Sequence, residues 1–242
     1  MSATVRQFDH APYQHVITAE VRAVAEHAVA VDCTVFYPCG GGQMGDTGML
    51  RDEAGHSMPV VDTVKGEQGL IWHRLDGELP AVGARVELEL DWARRYRLMQ
   101  MHTAMHLLSV AVPFPVTGGQ MTPDKGRLDF DVAGDALDKA AITERINGWI
   151  TEDLPVSVEW ITAEALAANP ELVKTVGVAP PTDGGQVRLV CIGEIDRQPC
   201  GGTHVARTGE IAPITVKSIK NRGARNRRIT LEWQPTGEGG TS

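Results

Sequence analysis

Two short segments of the chain carry side chains that bind metals. His102 and His106 stand four residues apart in a stretch with few helix breakers. A helix there stacks both imidazoles on one face, about one turn apart, where they can share a cation. Cys200 and His204 bracket Gly201-Gly202-Thr203. Two glycines let a tight loop turn a thiolate and an imidazole toward one point. Either pair alone is commonplace, as a surface or core feature. Together they make a nitrogen-rich set with one thiolate, and zinc is the metal that suits it.

The intervening residues narrow the chemistry. A His-Glu-x-x-His peptidase carries a glutamate base directly after its first histidine; here that position is Thr103. No Cys-x-x-Cys pair accompanies the site, which argues against a treble-clef or finger. Four protein ligands would close a tetrahedron, whereas a catalytic zinc keeps a position open. Either one ligand, such as His204, exchanges with water, or the metal positions a substrate without activating water.

The elements that must position these residues follow from periodicity. Residues 92–110 are rich in helix formers, and Leu98, Met101, Met105 and Leu108 fall on one helical face. A second helix is expected at 135–152, with Leu137, Ala141, Ile142, Ile146, Trp149 and Ile150 inward and Pro155 as a stop. Strands are expected at 126–132, 156–161, 186–192, 213–220 and 227–234. Before residue 92 the pattern is β. Val29, Val31, Cys33, Val35 and Tyr37 alternate with less apolar neighbours, as do Val86, Leu88, Leu90 and Trp92, with β-rich runs at 57–64 and 69–75 between them. Residues 18–28 read equally as helix or strand. The fold class is therefore α+β: a small β-barrel-like or sandwich domain over 1–92, an α/β domain with a mainly antiparallel sheet and the zinc site over 93–234, and a disordered Gly/Thr/Ser-rich tail over 235–242.

Composition bounds the function classes. The 242 residues are 42% apolar and 22% charged, ordinary for a globular protein. Neither a secretory h-region nor an apolar run near the ~20 residues of a membrane helix is present. Cys33, Cys39, Cys191 and Cys200 do not form a disulfide framework and suit a reducing cytoplasm; the first three read as small core hydrophobes. The net charge of −8 argues against bulk nucleic-acid binding. Yet Lys217, Lys220, Arg222, Arg225, Arg227 and Arg228 form a run without acidic residues, leaving 17 basic against 31 acidic residues elsewhere. Such a stripe reads either as a solvated hairpin or as a directed phosphate-binding surface.

The segments His102-Thr103-Ala104-Met105-His106-Leu107-Leu108 and Cys200-Gly201-Gly202-Thr203-His204-Val205-Ala206-Arg207-Thr208-Gly209-Glu210 resemble the editing domain of alanyl-tRNA synthetase and its free-standing relatives, the AlaX proteins. Gly40-Gly41-Gly42-Gln43-Met44-Gly45-Asp46-Thr47-Gly48 is similar to the glycine-rich motif that precedes that domain, with Met44 where the family pattern has proline. The resemblance spans nearly the whole chain in order and spacing. No aminoacylation segment accompanies it, so it points to the free-standing, medium-length form.

This resemblance implies one zinc ion per chain on His102, His106, Cys200 and His204. It implies hydrolysis of mischarged tRNA(Ala), chiefly Ser-tRNA(Ala) and also Gly-tRNA(Ala), by a cytoplasmic monomer. Thr103 is a candidate contact for the small amino acid, or else bonds back into its own helix. Gln43 and Asp46 are candidates for orienting water or the terminal ribose, unless their segment is simply a glycine-rich β-turn. It is not a nucleotide-binding loop, since no helix opens after it and no Lys-Ser/Thr follows. Arg94, Arg95 and Arg97, with the 217–228 stripe, would hold tRNA phosphates; charge reversal at Arg225 and Arg227 would then weaken tRNA binding without loss of zinc. Two rival readings remain: a non-catalytic tRNA- or RNA-binding module with a structural zinc, and a threonyl-type editing domain, which shares a His-x-x-x-His helix.

Overall fold

The computed structural model describes residues 2–132, 134, 137–176, 180, 182–223 and 225–235. The chain divides into two compact units, Met1–Met99 and Gln100–Ser242.

The first unit is built on a closed six-stranded barrel. Its strands are β1 (Val16–Ala25), β2 (Ala28–Val31), β3 (Gly48–Asp52), β4 (Ser57–Lys65), β5 (Ile71–Leu75) and β6 (Arg85–Leu90), closed in the order β1-β2-β5-β4-β3-β6. Every pairing in the barrel is antiparallel. Residues 18–28, undecided by sequence, fall mostly in β1. Inside lie Val21, Val29, Val31, Phe36, Leu50, Val60 and Leu88. The alternation over Val86, Leu88 and Leu90 is borne out, every second residue being buried, but Trp92, expected to continue it, is half-buried and opens the helix that follows. The alternation over Val29–Tyr37 is not: β2 ends at Val31, and Ala30 and Phe36, between the expected inward positions, are fully buried. Short strands Val5–Arg6 and Cys33–Thr34 pair in parallel beside the barrel.

A helix, α1 (Trp92–Ala111), follows. Leu98 through Ser109 is buried at every position. The single apolar face expected from its sequence is thus part of a stretch buried on all sides.

The second unit holds two sheets. One contains β7 (Val116–Met121), β8 (Lys125–Asp131), β12 (Ile214–Asn221) and β13 (Asn226–Trp233), in the order β12-β13-β8-β7, all antiparallel. The other contains β9 (Val156–Thr162), β10 (Gln186–Ile192) and β11 (Asp196–Pro199), with β10 central and the short strand Thr182–Asp183 also on it. Gly126 lets α1 approach the first sheet closely: a Cβ there would lie 2.7 Å from Met105 Sδ and 2.9 Å from Met101 Sδ. Helix α2 (Lys139–Thr151) packs on β12. The Asn147 amide donates to Ile214 O at 2.8 Å and accepts from Ile214 N at 3.0 Å.

Helix α2 begins later than expected. Asp138 caps it by accepting from Ala140 N and Ala141 N, so Leu137 lies outside the helix, and Ala141 is exposed rather than inward. Ile142, Ile146, Trp149 and Ile150 face the core. Residues 135–136 of the expected helix and 236–242 of the expected tail lie outside the described residues. No described helix is long and apolar enough to cross a membrane. Of the three cysteines expected in the core, Cys191 is buried, Cys33 half-buried and Cys39 exposed.

Candidate metal centre

Within the second unit, α1 and the loop after β11 bring His102, His106, Cys200 and His204 together, with one ligand atom from each inside a mutual distance of 4.8 Å. Cys200 Sγ is 3.4 Å from His102 Nε2 and 3.3 Å from His204 Nε2. These match the edge of about 3.5 Å that a zinc tetrahedron with arms of ~2.0–2.3 Å would have. The imidazole centroids are 4.2 Å (His102–His204), 4.6 Å (His106–His204) and 5.3 Å (His102–His106) apart. The donor set and spacing fit a metal ion.

Two partners decide which ring nitrogen faces the centre. His106 Nδ1 is 3.0 Å from Asp196 Oδ2. The carboxylate holds a proton on Nδ1 and leaves Nε2 for the metal, a common arrangement for a ligating histidine. His204 Nδ1 lies 3.1 Å from Thr103 Oγ1, so with Nε2 toward the centre Nδ1 donates to the hydroxyl. Asp196 is itself held by Lys174 Nζ and by Gln198 Nε2 at 2.7 Å.

Burial opposes the thiolate of Cys200, but the charges of His102 and His204 outweigh it and bring the thiol well below its ordinary pKa. Burial, with the charge of His102, pushes His204 well below the usual imidazole range. A thiolate and a neutral imidazole are the forms a metal needs. Burial also opposes charge on His106, yet Asp196 and Cys200 raise it to about 9.

The Cys200 loop turns without left-handed backbone at either Gly201 or Gly202. Arg188, on β10, holds it instead. Arg188 Nη1 donates to Cys200 O at 2.8 Å and to Gly202 O at 3.0 Å. Asp196, Gln198, Lys174 and Arg188 were not singled out from sequence. Asp196 and Gln198 had a usable signal, since they precede Cys200 by four and two residues and a strand puts all three on one face. Lys174 and Arg188 had none.

Of the residues expected around a substrate, Thr103 is fully buried and touches His204 as above; Val205 N also donates to its Oγ1 at 3.4 Å. Gln43 and Asp46 lie in the first unit. Gly40 and Gln43 exchange both backbone hydrogen bonds around Gly41 and Gly42, whose φ of +59° and +83° make this a tight two-residue turn of the kind glycine favours. Gly45 is required for another reason: a Cβ there would sit 2.2 Å from Thr63 O. Asp46 is buried, accepts from Tyr37 N at 2.6 Å and is bound by Arg95. Its carboxylate is consumed in the protein interior, which corrects its assignment to water or ribose.

The expected phosphate contacts also need correction. Arg95 is fully buried; besides Asp46 it reaches Val35 O at 2.6 Å and Pro12 O at 3.2 Å, so it faces no phosphate. Arg94 is half-buried and donates to Gly45 O at 2.7 Å; Arg97 is half-buried. In the β12–β13 hairpin, Lys217 pairs with Glu232, Arg225 with Asp131, and Arg228 in bidentate fashion with Asp129. Three of the six charges of the stripe are thus met by carboxylates that are distant in sequence. Lys220 and Arg222 are exposed, and Arg227 is half-buried.

Comparison with known proteins places these features. Residues 187–230 match the family model of the threonyl and alanyl tRNA synthetase second additional domain, and residues 4–94 match that of class II (A) tRNA synthetases. The alanyl-tRNA editing protein AlaX-M of Saccharolobus solfataricus is 35% identical over 86% of this chain and 89% of its own length. The AlaX-M protein of Methanosarcina acetivorans is 38% identical over 83% and 86%. The alanine–tRNA ligase of Sulfurisphaera tokodaii is 34% identical over 86% of this chain but 24% of its own length. With two relatives matched along most of both chains, this protein belongs to the AlaX family of alanyl-tRNA editing proteins.

Proposed function

We propose that this chain is a trans-editing hydrolase that deacylates mischarged tRNA(Ala), chiefly Ser-tRNA(Ala) and also Gly-tRNA(Ala), with one zinc ion on His102, His106, Cys200 and His204. The observation that carries the reading is the four-donor cluster, with its imidazoles oriented by Asp196 and Thr103, in a chain whose relatives are alanyl-tRNA editing proteins. When bound, zinc would supply Lewis-acid polarisation of a water or of the ester carbonyl.

The chain's own residues do the rest. Asp196 keeps the His106 proton on Nδ1 and fixes the ring. Thr103 does the same for His204. Arg188 holds the loop that carries Cys200. A second site for serine has a physical purpose, because a pocket shaped for alanine cannot strongly reject an isostere that adds a hydroxyl. A site that hydrogen-bonds that hydroxyl would leave its polar groups unpaired with alanine, and so spare the correct product. We place the enzyme in the cytoplasm and take it to act as a monomer.

Incubation with Ser-, Gly-, Ala- and Thr-charged tRNA, with and without chelator, tests this reading. Loss of Ser-tRNA(Ala), sensitive to chelator, with Ala-tRNA(Ala) spared is the expected result. No deacylation of any substrate would leave a non-catalytic RNA-binding module, and preference for a Thr-charged tRNA would point to the threonyl type.

A further inference from the structure

Arg188 is 4% exposed, and no described carboxylate pairs with it. Its guanidinium is used on one side only. Nη1 takes both loop carbonyls, whereas Nε is buried with no hydrogen-bond partner, and no bond from Nη2 to any described residue exists. An unpaired buried charge with an orphaned donor is costly, and natural proteins rarely keep one without a use. The unused Nε–Nη2 edge is the side of arginine that grips a two-oxygen anion with parallel hydrogen bonds.

The strand register says where this edge lies. On β10, Val187, Leu189 and Cys191 enter an apolar cluster, so Arg188 and Val190 point to the opposite face. Leu189 pairs with Pro199 and Val190 with Gln198, and Cys200 N donates to Arg188 O. Arg188 is therefore the cross-strand neighbour of Cys200, on the face that also carries Asp196 and Gln198. A free bidentate arginine edge thus lies on the metal side of the sheet, next to a ligand.

We infer that the Nε–Nη2 edge of Arg188 is a carboxylate site, which receives the amino acid's carboxyl end as negative charge develops on it. This rests on the hydrolase reading above. In that reaction a water oxygen bonds to the ester carbon and the carbonyl electron pair moves onto its oxygen. The bond to the ribose oxygen then breaks as that oxygen takes a proton, and the acid formed loses its own proton as carboxylate. The ester is neutral, while the tetrahedral oxyanion and the product are anionic. A positive edge unpaired in the resting protein therefore favours the transition state over the substrate. The depth of the side chain favours a small carboxylate over a phosphodiester, whose flanking sugars would have to follow it inward.

The test is a titration of the zinc-loaded protein with L-serine, acetate or inorganic phosphate, followed by the 1H–15N resonance of arginine Nε. The Arg188 signal is identified by its loss in Arg188→Lys. Serine and acetate are expected to shift it in a saturable manner. Arg188→Lys, which can still donate to Cys200 O and Gly202 O, should retain zinc and lose kcat by roughly a hundredfold. No shift with either carboxylate, or a response to phosphate alone, would overturn the inference. A carboxylate response in a protein that deacylates no tRNA would uphold the Arg188 site while sinking the hydrolase reading. Deacylation without that response would do the reverse.

Discussion

At the scale of single residues, the candidate metal centre depends as much on what holds its four donors as on the donors themselves. Asp196 has no exposed side-chain surface and is gripped by His106, Lys174 and Gln198. Its negative charge is opposed by burial, but His106 and Lys174 prevail and hold its pKa below the usual carboxylate range. Asp196→Asn keeps the shape and removes the charge that fixes the Nδ1 proton of His106. We expect zinc affinity to fall by roughly ten- to a hundredfold, as is usual for loss of such a partner. Competition against a chromophoric chelator measures it, and an unchanged affinity would mean that Asp196 does not orient the ligand.

At the scale of elements, the barrel stores a polar core of its own. His73 on β5 is fully buried, with Nε2 2.8 Å from Thr34 Oγ1 and Nδ1 3.3 Å from Val29 O. Nδ1 donates to the carbonyl, so Nε2 accepts from the threonine. Burial lowers the His73 pKa from 6.5 to about 4, against a small opposing effect of the Val29 bond. The unfolded chain then binds a proton that the folded chain refuses, so stability is full above about pH 6.5 and is lost as the pH falls toward 4. At pH 5 the loss from this one group is on the order of 2 kcal/mol. Chemical denaturation at pH 7 and pH 5 should show that drop in the wild type and much less of it in His73→Gln. An equal drop in both would assign the pH sensitivity elsewhere. Helix α1 shows the same principle: near its start, between the half-buried Arg94 and Tyr96, Arg95, an expected surface cation, is the fully buried partner of Asp46.

At the scale of the whole molecule, net charge and its placement govern the encounter with tRNA. The stripe at 217–228 stands out in sequence against a body of net −14. In the β12–β13 hairpin its Lys217, Arg225 and Arg228 are already paired with Glu232, Asp131 and Asp129. The exposed Lys220 and Arg222 are better candidates for phosphate contact than Arg225. We expect Lys220→Glu/Arg222→Glu to weaken tRNA binding and flatten its salt dependence by roughly one to two counterions, with zinc content unchanged. Filter binding across a salt series would show it. The same salt slope in the variant and the wild type would remove this hairpin from the interface.

The sequence by itself determined what is local. A four-residue repeat of histidine on a helix and a Cys-x-x-x-His loop each place two donors close together, so both pairs were legible before any fold was known, while the fold joins them into one candidate metal cluster. The strands at 186–192 and 227–234 and the antiparallel α+β class were equally legible, because short apolar, β-branched runs between turn residues are a near-neighbour property; the first is buried at every position after Gln186, and the second alternates only around Ile229 and Leu231. Tertiary structure alone decided what depends on register and depth. It put Asp196 behind His106, 90 residues away, and Arg188 beside Cys200. It neutralised Arg228 with Asp129 across two strands, and took Asp46 and Arg95 out of solvent. Charge and spacing say which chemistry a side chain can do, but the partner that spends or frees that chemistry comes from a distant strand, and only the fold brings it there.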